Sequence, residues 1–158
     1  MVLLEELESV RFLRDLTPAD LKQVASLARL QEYPAGAVIF SEGQATPSVF
    51  LVLQGEAALE VGVPGRGAVR VQTVGPGDLL GWSPVLGLGP MTATARAVSR
   101  CRLAALEADR VLALCAHDPQ FGVAFLRCTA VALAQRLQAT RRQLAAAPPQ
   151  GERGASAP

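Results

Sequence analysis

The spacing of apolar residues divides the chain into a helical start, a long β-like middle and a helical end. Near the start, apolar residues recur at helical spacing from Leu21 to Ala28, behind Thr17-Pro18, a pair suited to a helix cap and first turn. This pattern predicts a helix that ends near Leu30. The middle consists of short apolar runs broken by Gly and Pro, which predicts strands over 37–40, 49–53, 57–63, 69–74, 92–97 and 102–106. Strands this short and evenly spaced are typical of a sandwich or barrel.

Helical periodicity returns after Glu107. We expect one short helix over 108–116 and a longer one that begins at Asp118-Pro119, a second cap and first-turn pair. The longer helix carries apolar residues at alternating spacings of four and three, which is the spacing of a heptad repeat. This heptad seam consists of Leu126, Ala130, Leu133, Leu137 and Leu144, with Thr140 interrupting it. The seam predicts pairing with a second copy of the helix in a homodimer, and packing on the barrel of its own chain is the alternative.

These patterns predict a mainly β protein with flanking helices. We expect a β-barrel unit with N-terminal helices over residues 1–117 and a long C-terminal helix over 118–146. Residues 147–158 are rich in Pro, Gly and Ala and contain no residue that forms a core, which predicts a disordered tail.

Composition narrows the class of protein. The 158 residues suit one domain, and half of them are hydrophobic, but only seven are aromatic, so Leu, Val and Ala must build the core. A net charge of +1 gives no electrostatic reason for a nucleic acid or membrane partner. The N-terminus is acidic where a signal peptide is basic, and the odd number of cysteines at irregular spacings favours reduced thiols. We therefore expect a cytoplasmic protein.

Catalytic and metal-binding constellations are missing from the sequence pattern. Cys115 and His117 lie two residues apart, but no second Cys/His pair completes a metal site. No Ser/His/Asp set or pair of carboxylates at a legible spacing is present. The sequence predicts a protein that is not an enzyme and that holds no metal.

Several strings in the β-like region occur in a familiar order. They are Tyr33-Pro34-Ala35-Gly36-Ala37-Val38-Ile39-Phe40, Glu42-Gly43-Gln44, the segment from Val49 to Glu56, and Gly75-Pro76-Gly77-Asp78 leading to Gly81. With them, residues 10–107 resemble the cyclic-nucleotide-binding domain of the catabolite activator and fumarate–nitrate regulator family. The resemblance implies a double-stranded β-helix, a jelly-roll barrel, with an N-terminal helix and a long C-terminal dimer helix. It also implies a bacterial regulatory protein. In the transcription factors of the family a helix-turn-helix follows the long helix, and the tail of about a dozen residues is too short for one, so direct DNA binding is not expected.

Family members that bind a cyclic nucleotide carry a phosphate-binding cassette after this glycine. A Gly-Glu pair opens the cassette and an Arg followed by Ser or Thr closes it. In this chain, Trp82 stands at the Glu position and Met91 at the Arg position, whereas Gly81 and Thr92 match the family. Loss of two hydrogen bonds to charged groups, about 1.5–3 kcal/mol each, weakens binding about a hundredfold to ten-thousandfold. The resemblance therefore disfavours ordinary cAMP or cGMP sensing.

A ligand of another kind remains compatible with the cassette segment. Ser83-Pro84 predicts a short helix whose N-terminus suits an anion, and Trp82 can either stack on a ligand ring or close the pocket. Thr140 matches a family residue that reads adenine across the dimer, although Arg141 stands where a Ser follows in the family. The candidate pocket residues are Gly81, Trp82, Ser83, Met91, Thr92, Ala93 and Thr140.

Three functional hypotheses follow. In the first, the chain senses a nucleotide or another small anion and signals through its C-terminal helix. In the second, Trp82 and Met91 plug the pocket, and the chain is a protein-interaction module without a ligand. In the third, residual cAMP or cGMP binding survives because Arg96 or Arg141 supplies the missing cation.

Overall fold

The computed structural model describes residues 4–147, and the predicted tail after 147 lies outside the described residues. A short 3-10 helix, Arg11–Leu13, follows the first α-helix. The helices are α1 Leu4–Glu8, α2 Pro18–Leu27, α3 Ser83–Leu86, α4 Ala108–His117 and α5 Pro119–Ala146. The strands are β1 Arg29–Tyr33, β2 Val38–Phe40, β3 Ser48–Gln54, β4 Ala57–Val63, β5 Gly67–Val74, β6 Leu79–Leu80, β7 Thr94–Ala97 and β8 Cys101–Glu107.

The eight strands form two antiparallel sheets of four strands each. The first sheet has the order β1-β8-β3-β6 and the second has the order β2-β7-β4-β5. Strands distant in sequence pair within each sheet, as when Phe50 of β3 lies opposite Ala105 of β8. The mainly β fold with flanking helices, predicted as a jelly roll, is confirmed.

Strand β3 is buried on both faces, which explains why its apolar residues form a continuous run. Val49 and Leu51 belong to a core shared with the helices, whereas Phe50 and Val52 belong to the core between the two sheets. Because side chains alternate along a strand, each face of β3 contributes to a different core. The first sheet is therefore a middle layer between the helices and the second sheet.

Helix α2 begins as predicted, since the Thr17 hydroxyl accepts a hydrogen bond from the backbone N–H of Asp20 at 3.1 Å. The prediction that this helix ends near Leu30 was wrong. The helix ends at Leu27, Ala28 adopts an extended conformation, and strand β1 starts at Arg29 and pairs with β8. The apolar residues around Leu30 are compatible with the end of a helix or with the start of a strand. Pairing of β1 with β8 favours the strand.

Helix α5 is anchored at its N-terminal end. The Asp118 carboxylate accepts a hydrogen bond from the backbone N–H of Phe121, and this bond is the main cause that lowers the pKa of Asp118 below its usual value. Phe121 and Phe125 are each 1% exposed, and the Phe125 ring packs edge-on against Phe12 at 5.7 Å between ring centres. Gly122 lies against Cys115 of α4, where a Cβ would approach the Cys115 carbonyl oxygen to 3.0 Å. The first two turns of α5 therefore belong to the core.

Most of the heptad seam is exposed, and Leu133 and Leu137 border a groove between α5 and strands β4 and β5. Leu126, Leu137 and Leu144 are 43%, 51% and 76% exposed, while only Leu133 is half-buried. The residues that pack α5 tightly on its own chain are Phe121, Gly122, Phe125, Cys128 and Thr129. Pairing of the seam with a second copy stays a prediction. Among residues 4–147, no helix is both long enough and apolar enough to cross a membrane.

Candidate functional site

The cassette segment starts where β6 ends and the backbone turns sharply at Gly81. Gly81 has a φ of +78°, and a Cβ there would come within 3.1 Å of both the Met91 methyl group and the Phe40 ring. The predicted short helix, α3, follows over Ser83–Leu86. The Ser83-Pro84 pair reads as a cap and first turn in the sequence, but Ser83 is the first helical residue and Trp82 occupies the cap position. Ser83 is 2% exposed.

Six of the seven candidate pocket residues surround one cavity. Its lining consists of Gly81, Trp82, Ser83, Met91, Thr92 and Ala93, together with Phe40 and Leu59. The cavity volume is about 20 Å³, enough for a single water. Small-molecule pockets usually measure about 300–1,000 Å³. Met91 is 4% exposed and Phe40 is 3% exposed, so these two side chains fill the space between the sheets at the cassette.

Neither arginine suggested as a replacement cation lines this cavity. The Arg96 guanidinium lies 3.3 Å from the Glu60 carboxylate and donates a second hydrogen bond to the Gly36 carbonyl oxygen at 3.1 Å. Arg141 is exposed on the C-terminal part of α5.

The strand predicted over 92–97 is two residues shorter in the structure. Strand β7 starts at Thr94, so Thr92 lies before it.

A cation that the sequence reasoning missed lies at the outer side of the cassette. The Arg136 guanidinium of α5 lies 4.9 Å from the centre of the Trp82 ring, and its Nη2 donates a hydrogen bond to the Leu79 carbonyl oxygen at 2.6 Å. Burial lowers the pKa of Arg136 below its usual value, and the charge of Asp78 opposes this shift. None of the described carboxylates forms an ion pair with Arg136. The sequence held one indication of this residue. Arg136 lies four positions before Thr140, a candidate pocket residue, and residues at this spacing share one face of a helix.

Arg136 separates two open grooves between α5 and the barrel. The groove beside Trp82 has a volume of about 290 Å³, and apolar side chains of β4, β5 and α5 line much of it: Leu59, Val61, Val71, Leu133 and Leu137. Thr140 lies in this groove and not in the cassette cavity, and its hydroxyl donates a hydrogen bond to the Arg136 carbonyl oxygen at 2.9 Å. The second groove, about 230 Å³, lies between α5 and the 3-10 helix and contains Arg11 and Asp78, which form an ion pair at 2.8 Å.

Solved structures share this architecture. The catabolite activator protein of Thermus thermophilus is 28% identical, with a TM-score of 0.71 over 85% of this chain and 61% of that one. A cyclic nucleotide-binding domain from Methylobacillus flagellatus has a TM-score of 0.82 over 92% of this chain and 86% of that one, and its 21% identity supports the fold alone.

The curated sequence relatives have descriptions of the same kind as the solved structures. A CRP-like cAMP-activated global transcriptional regulator of Mycobacterium tuberculosis is 25% identical over 114 residues, which are 72% of this chain and 49% of the relative. The chain spans between 25% and 49% of the length of the curated relatives that it matches. The model of the cyclic nucleotide-binding domain family matches residues 30–118, from β1 through the cassette to the end of α4. With the two sheets, the cassette turn at Gly81 and the long α5 in place, the chain belongs to the cyclic nucleotide-binding domain family.

Proposed function

We propose that this chain is a non-enzymatic regulatory module that does not bind cAMP or cGMP in its cassette and that signals through α5, paired with α5 of a second copy. The observation that carries the proposal is the small volume of the cassette cavity. The buried side chains of Met91 and Phe40 leave only about 20 Å³ there. A cyclic phosphate placed there would be buried without a cation, because Met91 stands where the family has Arg. A cytoplasmic location is part of the proposal.

The exposed heptad seam supports the second half of the proposal. Three of its leucines, Leu126, Leu137 and Leu144, are 43%, 51% and 76% exposed. A row of exposed large apolar side chains along one helix is typical of an interaction site. The four-three spacing matches the geometry by which two helices pack side by side.

The proposal predicts that cAMP and cGMP leave the thermal stability unchanged. At about 1 mM, neither compound should shift the melting temperature of the wild-type chain, because the cavity admits only one water. A ligand at 100 times its dissociation constant would add about 2.7 kcal/mol and raise the melting temperature by about 5 °C or more. Differential scanning fluorimetry measures the shift, and a reproducible rise with either cyclic nucleotide would contradict the first half of the proposal.

The proposal also predicts that charges in the seam separate the dimer. By size-exclusion chromatography with light scattering, the wild-type chain should have twice the 16.6 kDa mass of one chain. We expect Leu137→Asp/Leu144→Asp to raise the dimer dissociation constant at least about a hundredfold, because each leucine contributes about 1.5–3 kcal/mol of burial. Gln138→Asp/Ala145→Asp is the matched control, since both residues are exposed on α5 outside the seam. A wild-type monomer, or equal effects of both pairs, would remove the support for dimer signalling.

A small-molecule sensor is the second candidate function, and the groove beside Trp82 favours it. This groove of about 290 Å³ combines apolar walls with the Arg136 guanidinium, a combination suited to a small apolar or aromatic anion. The same thermal melt, extended to cyclic dinucleotides, ATP and haem, separates the two candidates. A shift with one of these compounds that Arg136→Ala abolishes would support the sensor, and its absence would favour the ligand-free module.

A further inference from the structure

Helix α5 is held against the barrel by two different kinds of contact. Its first turns are anchored by Phe121 and Phe125 in the core shared with the helices. Beyond Thr129, the last buried residue of α5, only one hydrogen bond among the described residues joins α5 to the barrel, from Arg136 to the Leu79 carbonyl oxygen. The other contacts of this half come from partly buried residues such as Ala132, so Arg136 is the main polar contact that positions the second half of α5.

The partners of Arg136 lie on the two sides of the turn that starts the cassette segment. Leu79 is the first residue of β6, and Trp82 lies at the start of α3, on either side of Gly81. The guanidinium faces the Trp82 ring at 4.9 Å, which is within the distance of a favourable cation–π contact. The remaining N–H groups of the guanidinium have no hydrogen-bond partner among the described residues, so this contact is not part of a larger ion-pair network.

We propose that Trp82 and Arg136 form an intramolecular latch that docks α5 on the cassette without any ligand. The latch rests on the proposed function, because it determines the position of the helix through which the module signals. Met91 and Phe40 fill the inside of the cassette, and Trp82 and Arg136 close its outer side. The position of α5 is therefore set by the chain's own side chains, and an input acts on α5 by separating this pair.

Hydrogen–deuterium exchange of the full-length protein tests the latch. In Arg136→Ala and in Trp82→Ala, amides over residues 133–146 should exchange about tenfold faster or more, the effect of losing a contact to a charged group. Amides of β3 and β8 should keep their protection. The double variant should exchange no faster than the faster single variant, because both changes break the same contact. Arg142→Ala, an exposed arginine on the same helix, is the matched control and should leave exchange unchanged.

A second readout separates the latch from simple packing. Trp82 is the only tryptophan of the chain, so acrylamide quenching of its emission reports how well α5 covers it. Arg136→Met keeps most of the apolar contact area but loses the cation and the hydrogen bond to Leu79. It should increase both the quenching and the α5 exchange, and wild-type values for both would overturn the latch. Light scattering of every sample, together with the cyclic nucleotide melts, distinguishes this failure from a failure of the proposed function.

Discussion

The double variant Trp82→Glu/Met91→Arg should bind cAMP at least about a hundredfold more tightly than the wild-type chain. The two substitutions restore the acid and the base that the family resemblance places at these positions, each worth about 1.5–3 kcal/mol as a hydrogen bond to a charged group. Replacement of Met91 also removes the methyl group that lies against Gly81, and replacement of Trp82 releases Arg136. Isothermal titration calorimetry with cAMP measures the gain.

A neutral variant controls for the change in volume. Trp82→Gln/Met91→Gln removes the same two side chains but introduces no charge, and it should show no cAMP binding at about 1 mM. Circular dichroism and melting of the unliganded variants establish that each one folds, because the Met91 position is 4% exposed and a charge there is buried when no ligand is present. If the charged variant folds and still does not bind, the lost acid and base do not explain the closed cassette, and Phe40 becomes the next residue to replace.

Gly55→Ala should destabilise the fold by about 2–5 kcal/mol. Gly55 has a φ of +86°, a conformation that costs a non-glycine residue about 1–2 kcal/mol. A Cβ at this position would lie 2.2 Å from the Arg100 carbonyl oxygen, so the start of β8 must also shift, and overpacking adds about 1–3 kcal/mol. Urea denaturation followed by circular dichroism measures the loss.

Gly36→Ala isolates the effect of the close approach. Gly36 has the same φ of +86°, but a Cβ there would meet no atom within 4 Å. We therefore expect this control to lose only the backbone cost of about 1–2 kcal/mol. Equal losses in the two variants would mean that β8 adapts without strain and that the turn conformation alone determines the effect.

Features with a local cause were predictable from the sequence. The cap pairs Thr17-Pro18 and Asp118-Pro119 set the starts of α2 and α5 as expected, because capping depends on neighbouring residues only. Strand β6 was missed because two residues carry too little periodicity, and β1 was missed because its half-buried residues do not alternate.

The sequence predicted which segment of the chain forms the candidate site, but not the contacts that its side chains make. The resemblance placed Trp82 and Met91 in the cassette, and the structure brings them around one small cavity. The contact of Trp82 with Arg136 depends on where α5 crosses the barrel, and that crossing is determined by the packing of Phe121, Gly122 and Phe125 far along the chain. The helical spacing of Arg136 from Thr140 indicated the face of α5, but no short-range pattern encodes the contact with Trp82.

The anchoring of α5 at one end gives the helix the mechanics of a lever arm. Phe125 is the last aromatic anchor, and Leu144 lies nineteen residues beyond it, about 28 Å along the helix axis. A rotation of about 10° around the anchored turns would displace the far end by about 5 Å, one helical pitch. Such a displacement would misalign Leu144 with any partner helix. A change of a few ångströms at the Trp82 ring would therefore add or remove a whole layer of side-chain packing between the two helices.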